Sequence, residues 1–158
     1  MTARDQTDAA ESVFELESTL ESVDLAEQIA VRAAAEAGLD DDQQYEIGMA
    51  VRESVINAVV HGNRYNRNKK VRLTVRMRPG ELVVRVADEG EGFDPSQVPD
   101  PLASENLLSQ SGRGLLLIRA FTDEFTVRRL VPQGTEVVLV KRVREPSPPR
   151  SEEAEREG

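Results

Sequence analysis

Hydrophobic positions recur along this chain with two different periods. From Tyr45 to Asn63 (YEIGMAVRESVINAVVHGN), Ile47, Val51, Val55, Ala58 and Val59 fall at helical spacing and predict one helix with an apolar stripe turned to a core. Met49, Glu53, Asn57 and His61 recur every four residues on the same stretch and form a second stripe, set well round the helix from the first. Ile56 and Val60 border that second stripe, so it is not simply a wet face. Asn inside a helix is mildly unfavourable and points to a use beyond helix formation. Gly48 costs about 1 kcal/mol against Ala inside a helix, which suggests close packing at that point.

The remaining pattern is read around this helix. Ser12 to Ser18 alternates weakly and predicts a short edge strand. Leu20 to Gly38 is Ala-rich, with Leu25, Ala26, Ile29, Ala30 and Ala33 on one face and Gly38 as a stop. Asp40 to Asp42 supplies N-cap candidates for the long helix. After a basic loop over 64–70, Val71, Leu73, Val75 and Met77 alternate with Arg72, Thr74, Arg76 and Arg78, Pro79-Gly80 makes a turn, and Leu82, Val84 and Val86 alternate again. The two runs predict an antiparallel hairpin. Its parity, continued, turns Asp88 inward, where a carboxylate needs a hydrogen-bond donor. Residues 96–111 read as a loop long enough to act as a lid, followed by a helix from Leu115 to Phe121 opened by Gly112-Arg113-Gly114. Strands from Phe125 to Val131 and Thr135 to Val143 close the domain. The order predicts an α+β fold, a two-layer α/β sandwich with an antiparallel or mixed sheet covered by helices on one face. The expected organisation is a flexible terminus over 1–11, one domain over 12–143 and an unpacked acidic, Pro-bearing tail over 144–158.

Composition narrows the function. With 158 residues the chain is about one domain, 39% hydrophobic and 31% charged. The absence of Cys excludes a disulfide framework, a thiolate metal site and a Cys nucleophile. No apolar run is long enough to span a membrane, which predicts a soluble, cytoplasmic protein. A net charge of -9 argues against direct binding of nucleic acid and suits basic protein partners.

Taken singly, the polar motifs have ordinary readings. Glu53 is a solvated helix acid, Met49 core filler, Asn57 a buried amide bonded to a nearby carbonyl, and His61 a partner of the helix-terminal carbonyls. Asp88-x-Gly90-x-Gly92 is a turn, and its glycines occupy positions where a calcium loop needs ligands. Gly112-x-Gly114 is either simple helix-entry geometry or a source of free N–H groups for a phosphate.

Their order and spacing carry more. Glu53-x-x-x-Asn57, then Asp88-x-Gly90-x-Gly92, a loop, Gly112-x-Gly114 and Gly134-Thr135 together resemble the nucleotide site of the GHKL ATPase superfamily, the group of gyrase, heat-shock chaperones and histidine kinases. The words ESVINAVVHGN, DEGEGFDP and GRGLLLIRAFTDEF are similar to those of its short bacterial anti-sigma factors that are also serine kinases, with a Bergerat-type ATP-binding fold. The resemblance spans residues 12–143. Arg52 and Leu116 depart from it, standing where many members carry small residues.

The resemblance implies ATP and Mg2+ as cofactors. Asn57 would hold the metal, a neutral amide oxygen being a suitable hard ligand where phosphates supply the negative charge. Glu53, one turn back, would take or orient the proton of an attacking hydroxyl. Asp88 would accept from the adenine amino group, and Gly90 and Gly92 would let the backbone lie against base and sugar. Gly112, Arg113, Gly114 and Leu115 would direct N–H groups at the phosphates, with Arg113 as a charge clamp, and Thr135 would add a hydroxyl near the adenine. The implied partners are a sigma factor, an anti-anti-sigma protein of the STAS type phosphorylated on Ser, and a second copy of the chain. Two other functions fit the same motifs: an ATP-dependent switch that sequesters a partner without catalysis, and a bare ATPase module.

Overall fold

A computed structural model describes the backbone of residues 10–90 and 110–144, and the side chains of all of these except 10 and 110–113. Gly92, the side chain of Arg113 and most of the expected lid over 96–111 lie outside the described residues. The last two positions of that stretch open a helix.

In chain order the elements are β1 (Ala10–Glu17), α1 (Glu21–Glu36), α2 (Asp41–Ile56), a π-helical turn (Asn57–Gly62), β2 (Lys70–Arg78), β3 (Glu81–Ala87), α3 (Gln110–Phe121), β4 (Glu124–Arg129) and β5 (Thr135–Arg142). The strands form one sheet in the order β1-β2-β3-β5-β4, with every pair antiparallel. Period-two alternation makes this a two-layer fold. Phe14, Leu73, Val86, Val137 and Val127 stand in register across all five strands and face the helices. Their neighbours along the strands point to the other face, where Glu15, Arg72 and Arg128 are exposed and Thr74 is buried. The expected weak edge strand is thus a full eight-residue strand, with Leu16 buried and Val13 exposed.

The helical layer closes the core. Ala26, Ala30, Ala33 and Ala34 of α1 pack with Ile47, Ala50, Val51 and Val55 of α2 over Leu73, Val84 and Leu139. Small side chains on α1 let the two helices approach. At Gly48 an added Cβ would stand 2.8 Å from Val31 Cγ2, so the close packing expected there is present. Outside the core, Arg52 ties α2 to α1 through Asp24 at 2.6 Å and Glu27 at 3.0 Å. Asp40 caps α2 reciprocally with Gln43: Gln43 N–H donates to Asp40 Oδ1 at 2.8 Å and Asp40 N–H to Gln43 Oε1 at 3.2 Å.

Two helices differ from the sequence reading. The long helix starts at Asp41, capped by Asp40, one of the expected N-cap candidates, so its start agrees with that reading and the difference lies at its far end. From Asn57 it winds more loosely, with Asn63 N–H reaching Ala58 O at 2.7 Å, five residues back. His61 therefore does not stack a full turn above Asn57 as a uniform four-residue stripe requires. The third helix starts at Gln110, so Gly112 and Gly114 lie within it and do not form its entrance.

Candidate functional site

The stripe on α2 survives folding as a half-buried strip. Met49, Glu53 and Asn57 are all of intermediate exposure, one turn apart, and His61 beyond them is exposed. Among the described residues, no hydrogen bond or ion pair engages the side chain of Glu53 or Asn57. Glu53 is set against α3 at Gly114, which is buried. A Cβ there would stand 3.0 Å from Glu53 Oε2. Gly114 therefore makes room for the carboxylate. In a helix that begins at Gln110, the N–H groups lacking an intrahelical acceptor belong to the first four residues, which include Gly112 and Arg113. The N–H groups of Gly114 and Leu115 lie beyond that first turn, a departure from the expected row of four donors.

The second half of the site is built at the end of β3. Asp88 is 8% exposed, as parity required. Its N–H continues the ladder to Thr135 O at 2.9 Å. Its Oδ1 accepts from Gly90 N–H at 3.0 Å and Thr135 N–H at 3.2 Å. Burial raises its pKa above the ordinary carboxylate value, opposed by those two N–H groups and by the charge of Lys69. Three glycines leave the space this arrangement needs. A Cβ on Gly62 would overlap the Asp88 carboxylate, one on Gly90 the Gly62 carbonyl, and one on Gly134 the Asp88 carbonyl. Gly134 also has φ +112°, a conformation L side chains rarely adopt. Beside Asp88, Thr135 is 4% exposed, and its Oγ1 is buried without a partner among the described residues.

The π-helical turn joins the halves. It continues α2 past Asn57 and sets Gly62 against Asp88. Glu53 and Asn57 thus lie on the element whose far end, Gly62, meets Asp88 and Gly90, with Gly114 set against Glu53 and Thr135 against Asp88. Leu115 is half-buried in α3 and packs against the core.

A model of the histidine kinase-like ATPase domain family matches residues 16–141. The chain belongs to this family. Membership of an ATPase family implies that the domain binds ATP. The anti-sigma F factor of Geobacillus kaustophilus is 36% identical over 115 residues, 70% of this chain and 79% of that protein. The anti-sigma F factor of Clostridium botulinum strain Eklund 17B is 29% identical over 103 residues, 64% of this chain and 72% of that protein. The solved structure of the RsbU and RsbW domains of Rv1364c from Mycobacterium tuberculosis shares the fold, with a TM-score of 0.62 at 20% identity over 87% of this chain. This chain spans 34% of that one. Among the described residues, no helix is long and apolar enough to cross a membrane, and no cluster of three or more His, Cys, Asp or Glu could hold a metal by itself.

Two polar residues of the family domain escaped the sequence reading. Asn63 is 2% exposed and bonds three segments around Asp88. Lys141 is 6% exposed on the inner face of β5 and joins α2 to the end of α3. Strand parity from Leu139 turns Lys141 inward, so its burial had a signal. Asn63 had none beyond its place after His61-Gly62.

Proposed function

We propose that this chain is an ATP-dependent anti-sigma factor and protein serine kinase, which binds a sigma factor and transfers phosphate to a Ser of an anti-anti-sigma protein of the STAS type. The observation that carries this reading is a half-buried carboxylate, Glu53, without a partner among the described residues. It stands one turn from the equally unengaged Asn57 and against a glycine of α3. A domain that only sequestered a partner would need no such base. The names of the relatives, anti-sigma F factors, support the regulatory half.

Each group has a role on this reading. Asp88 accepts from the adenine amino group, and the orphaned Thr135 hydroxyl takes a partner on the base or on a water held by it. Gly90 and Gly92 let the backbone lie along base and sugar. Gly112 and Arg113, in the first turn of α3, turn N–H groups to the phosphates, with Arg113 balancing charge, and Gly114 and Leu115 follow on the same helix without free N–H groups. The unengaged carboxamide of Asn57 fits Mg2+, which when bound would offset phosphate charge. Glu53 accepts the proton of the attacking Ser hydroxyl. The chain works as a homodimer in the cytoplasm, its acidic surface turned to protein partners and not to nucleic acid.

The test is transfer of labelled phosphate from ATP to a Ser-bearing partner, with Glu53→Ala beside the wild type. Transfer that needs Glu53 supports the kinase. Nucleotide-dependent partner binding without transfer favours the sequestering switch.

A further inference from the structure

We infer that Asn63 is a positioning residue for base recognition: its buried carboxamide fixes the chain that presents Asp88 to the nucleotide. This rests on the proposal that Asp88 reads the adenine amino group.

Asn63 Oδ1 accepts from Glu89 N–H at 2.8 Å. Its Nδ2 donates to Ser18 Oγ at 2.8 Å and Lys70 O at 3.0 Å. Three segments are joined by one side chain: the exit of β1, the start of β2 and the turn after β3. The backbone of Asn63 is held as well, its N–H by Ala58 O in the π-helical turn and its carbonyl by Asn66 N–H at 3.0 Å. Ser18 in turn donates to Lys69 O at 2.5 Å, and Lys70 N–H donates to the Glu89 carboxylate. A buried amide engaged at both ends cannot rotate without losing bonds.

The place of the Glu89 bond gives it its consequence. The ladder between β3 and β5 ends with Asp88 N–H on Thr135 O. The next N–H, that of Glu89, has no strand partner and is taken by Asn63. The following one, that of Gly90, turns back to Asp88 Oδ1. The inward turn of Gly90, and so the orientation of the Asp88 carboxylate, depends on where Glu89 is held. Among side chains of this length, the Asn carboxamide alone carries both the acceptor and the two donors that the set uses. Asp offers an acceptor to Glu89 but no donor to Ser18 or Lys70, and Ala offers neither.

Binding of ATP and of inosine triphosphate, which carries an oxo group in place of the amino group, tests this on folded wild-type protein, Asn63→Ala and Ser18→Ala. The wild type should prefer ATP by roughly tenfold or more, and Asn63→Ala should lose most of that preference while its affinity for inosine triphosphate falls by less than about twofold. Ser18→Ala removes one bond to Nδ2 but leaves Glu89 held, so it should lower Tm and keep the preference. An unchanged preference in Asn63→Ala, or equal loss in Ser18→Ala, overturns the inference. A wild type that holds both nucleotides equally is a different failure: it removes the role of Asp88 and, with it, the basis for positioning. Should Asn63→Ala not fold, hydrogen exchange of the wild type decides. The Glu89 amide should be protected to the level of the β3 amides, and exchange at the rate of an open loop overturns the inference.

Discussion

The carboxylate of Glu53 abuts Gly114: a methyl group on Gly114 would stand 3.0 Å from Glu53 Oε2 and 3.8 Å from its Cδ. The contact crosses from α2 to α3 and sets the carboxylate against the helix proposed to meet the phosphates. Gly114→Ala should separate stability from chemistry. Ala favours a helix interior by about 1 kcal/mol over Gly, and the carboxylate can give way by a few tenths of an ångström. The variant should unfold at or above the wild-type urea midpoint. Displacement of the proposed base should lower phosphotransfer by about tenfold or more, since small misplacements of reacting groups are costly. ATP affinity should stay within about threefold. Normal transfer would show that the crowded carboxylate takes no part in the reaction.

Asp88 should show the opposite separation, binding against stability. Burial raises its pKa in the folded state above the ordinary 3.8. Between 3.8 and that raised value the native state binds more protons than the unfolded chain. Stability therefore falls as pH climbs through this window, and the ionised group remains a cost at neutral pH. Asp88→Asn removes the buried charge and keeps a carbonyl oxygen for the N–H groups of Gly90 and Thr135. At pH 7 the variant should be at least as stable as the wild type. ATP affinity should nevertheless fall at least tenfold, about 1.4 kcal/mol, because the amide can present a donor to the adenine amino group. Wild-type affinity should also fall on acidification, beginning above the pH at which an ordinary carboxylate titrates. Calorimetry at several pH values and a thermal melt check both. Unchanged affinity in Asp88→Asn, with the fold intact, refutes the assignment.

Lys141 is a structural tie within the same domain. Its Nζ donates to Glu46 Oε1 and to Phe121 O, each at 2.8 Å, and so joins α2 and the C-terminal end of α3 to β5. Lys141→Ala would leave Glu46 with only the longer contact to Arg144 Nη2 at 3.5 Å. The loss should be about 2 kcal/mol, below the range for a fully buried pair because Glu46 is 26% exposed and Arg144 remains. Lys141→Met keeps the packing of the stem and should lose less. A urea midpoint for Lys141→Ala equal to that of the wild type would remove the pair from the list of things that hold α3 in place.

What the sequence disclosed follows from the range of the interactions involved. Strands β2 and β3 were legible because alternation of one wet and one dry face is a local signal, and that same parity carried inward to Asp88. Asp40 was legible as a cap because its partner is three residues away. The π-helical turn was not, since six residues of Ala, Val and polar neighbours fit i+4 and i+5 winding equally well. Gly112 and Gly114 read as a helix entrance because glycine is a poor helix former. Contact with Glu53, from a helix some sixty residues earlier, supplies Gly114 with another reason to be there. Asn63 and Lys141 depend on partners 45 and 95 residues distant, which no periodicity encodes.

Glu53 and Asn57 should divide chemistry from binding. Both side chains are half-buried and unengaged among the described residues, so neither substitution breaks a described bond. Glu53→Ala removes the proposed base but no group proposed to hold adenine or metal. It should bind Mg-ATP and a sigma factor nearly normally and lose phosphotransfer by roughly a hundredfold or more, the usual contribution of a general base. Asn57→Ala should lose Mg2+-dependent nucleotide binding as well, because the phosphates remain crowded while the metal loses its protein ligand. If the two residues served only the fold, both variants would melt at lower temperature and turn over normally per folded molecule. The measurement is phosphate transfer to a Ser-bearing partner, normalised to folded protein, beside nucleotide affinity with and without Mg2+. Transfer at the wild-type rate by Glu53→Ala would end the kinase reading and leave the nucleotide-gated sequestering switch in its place.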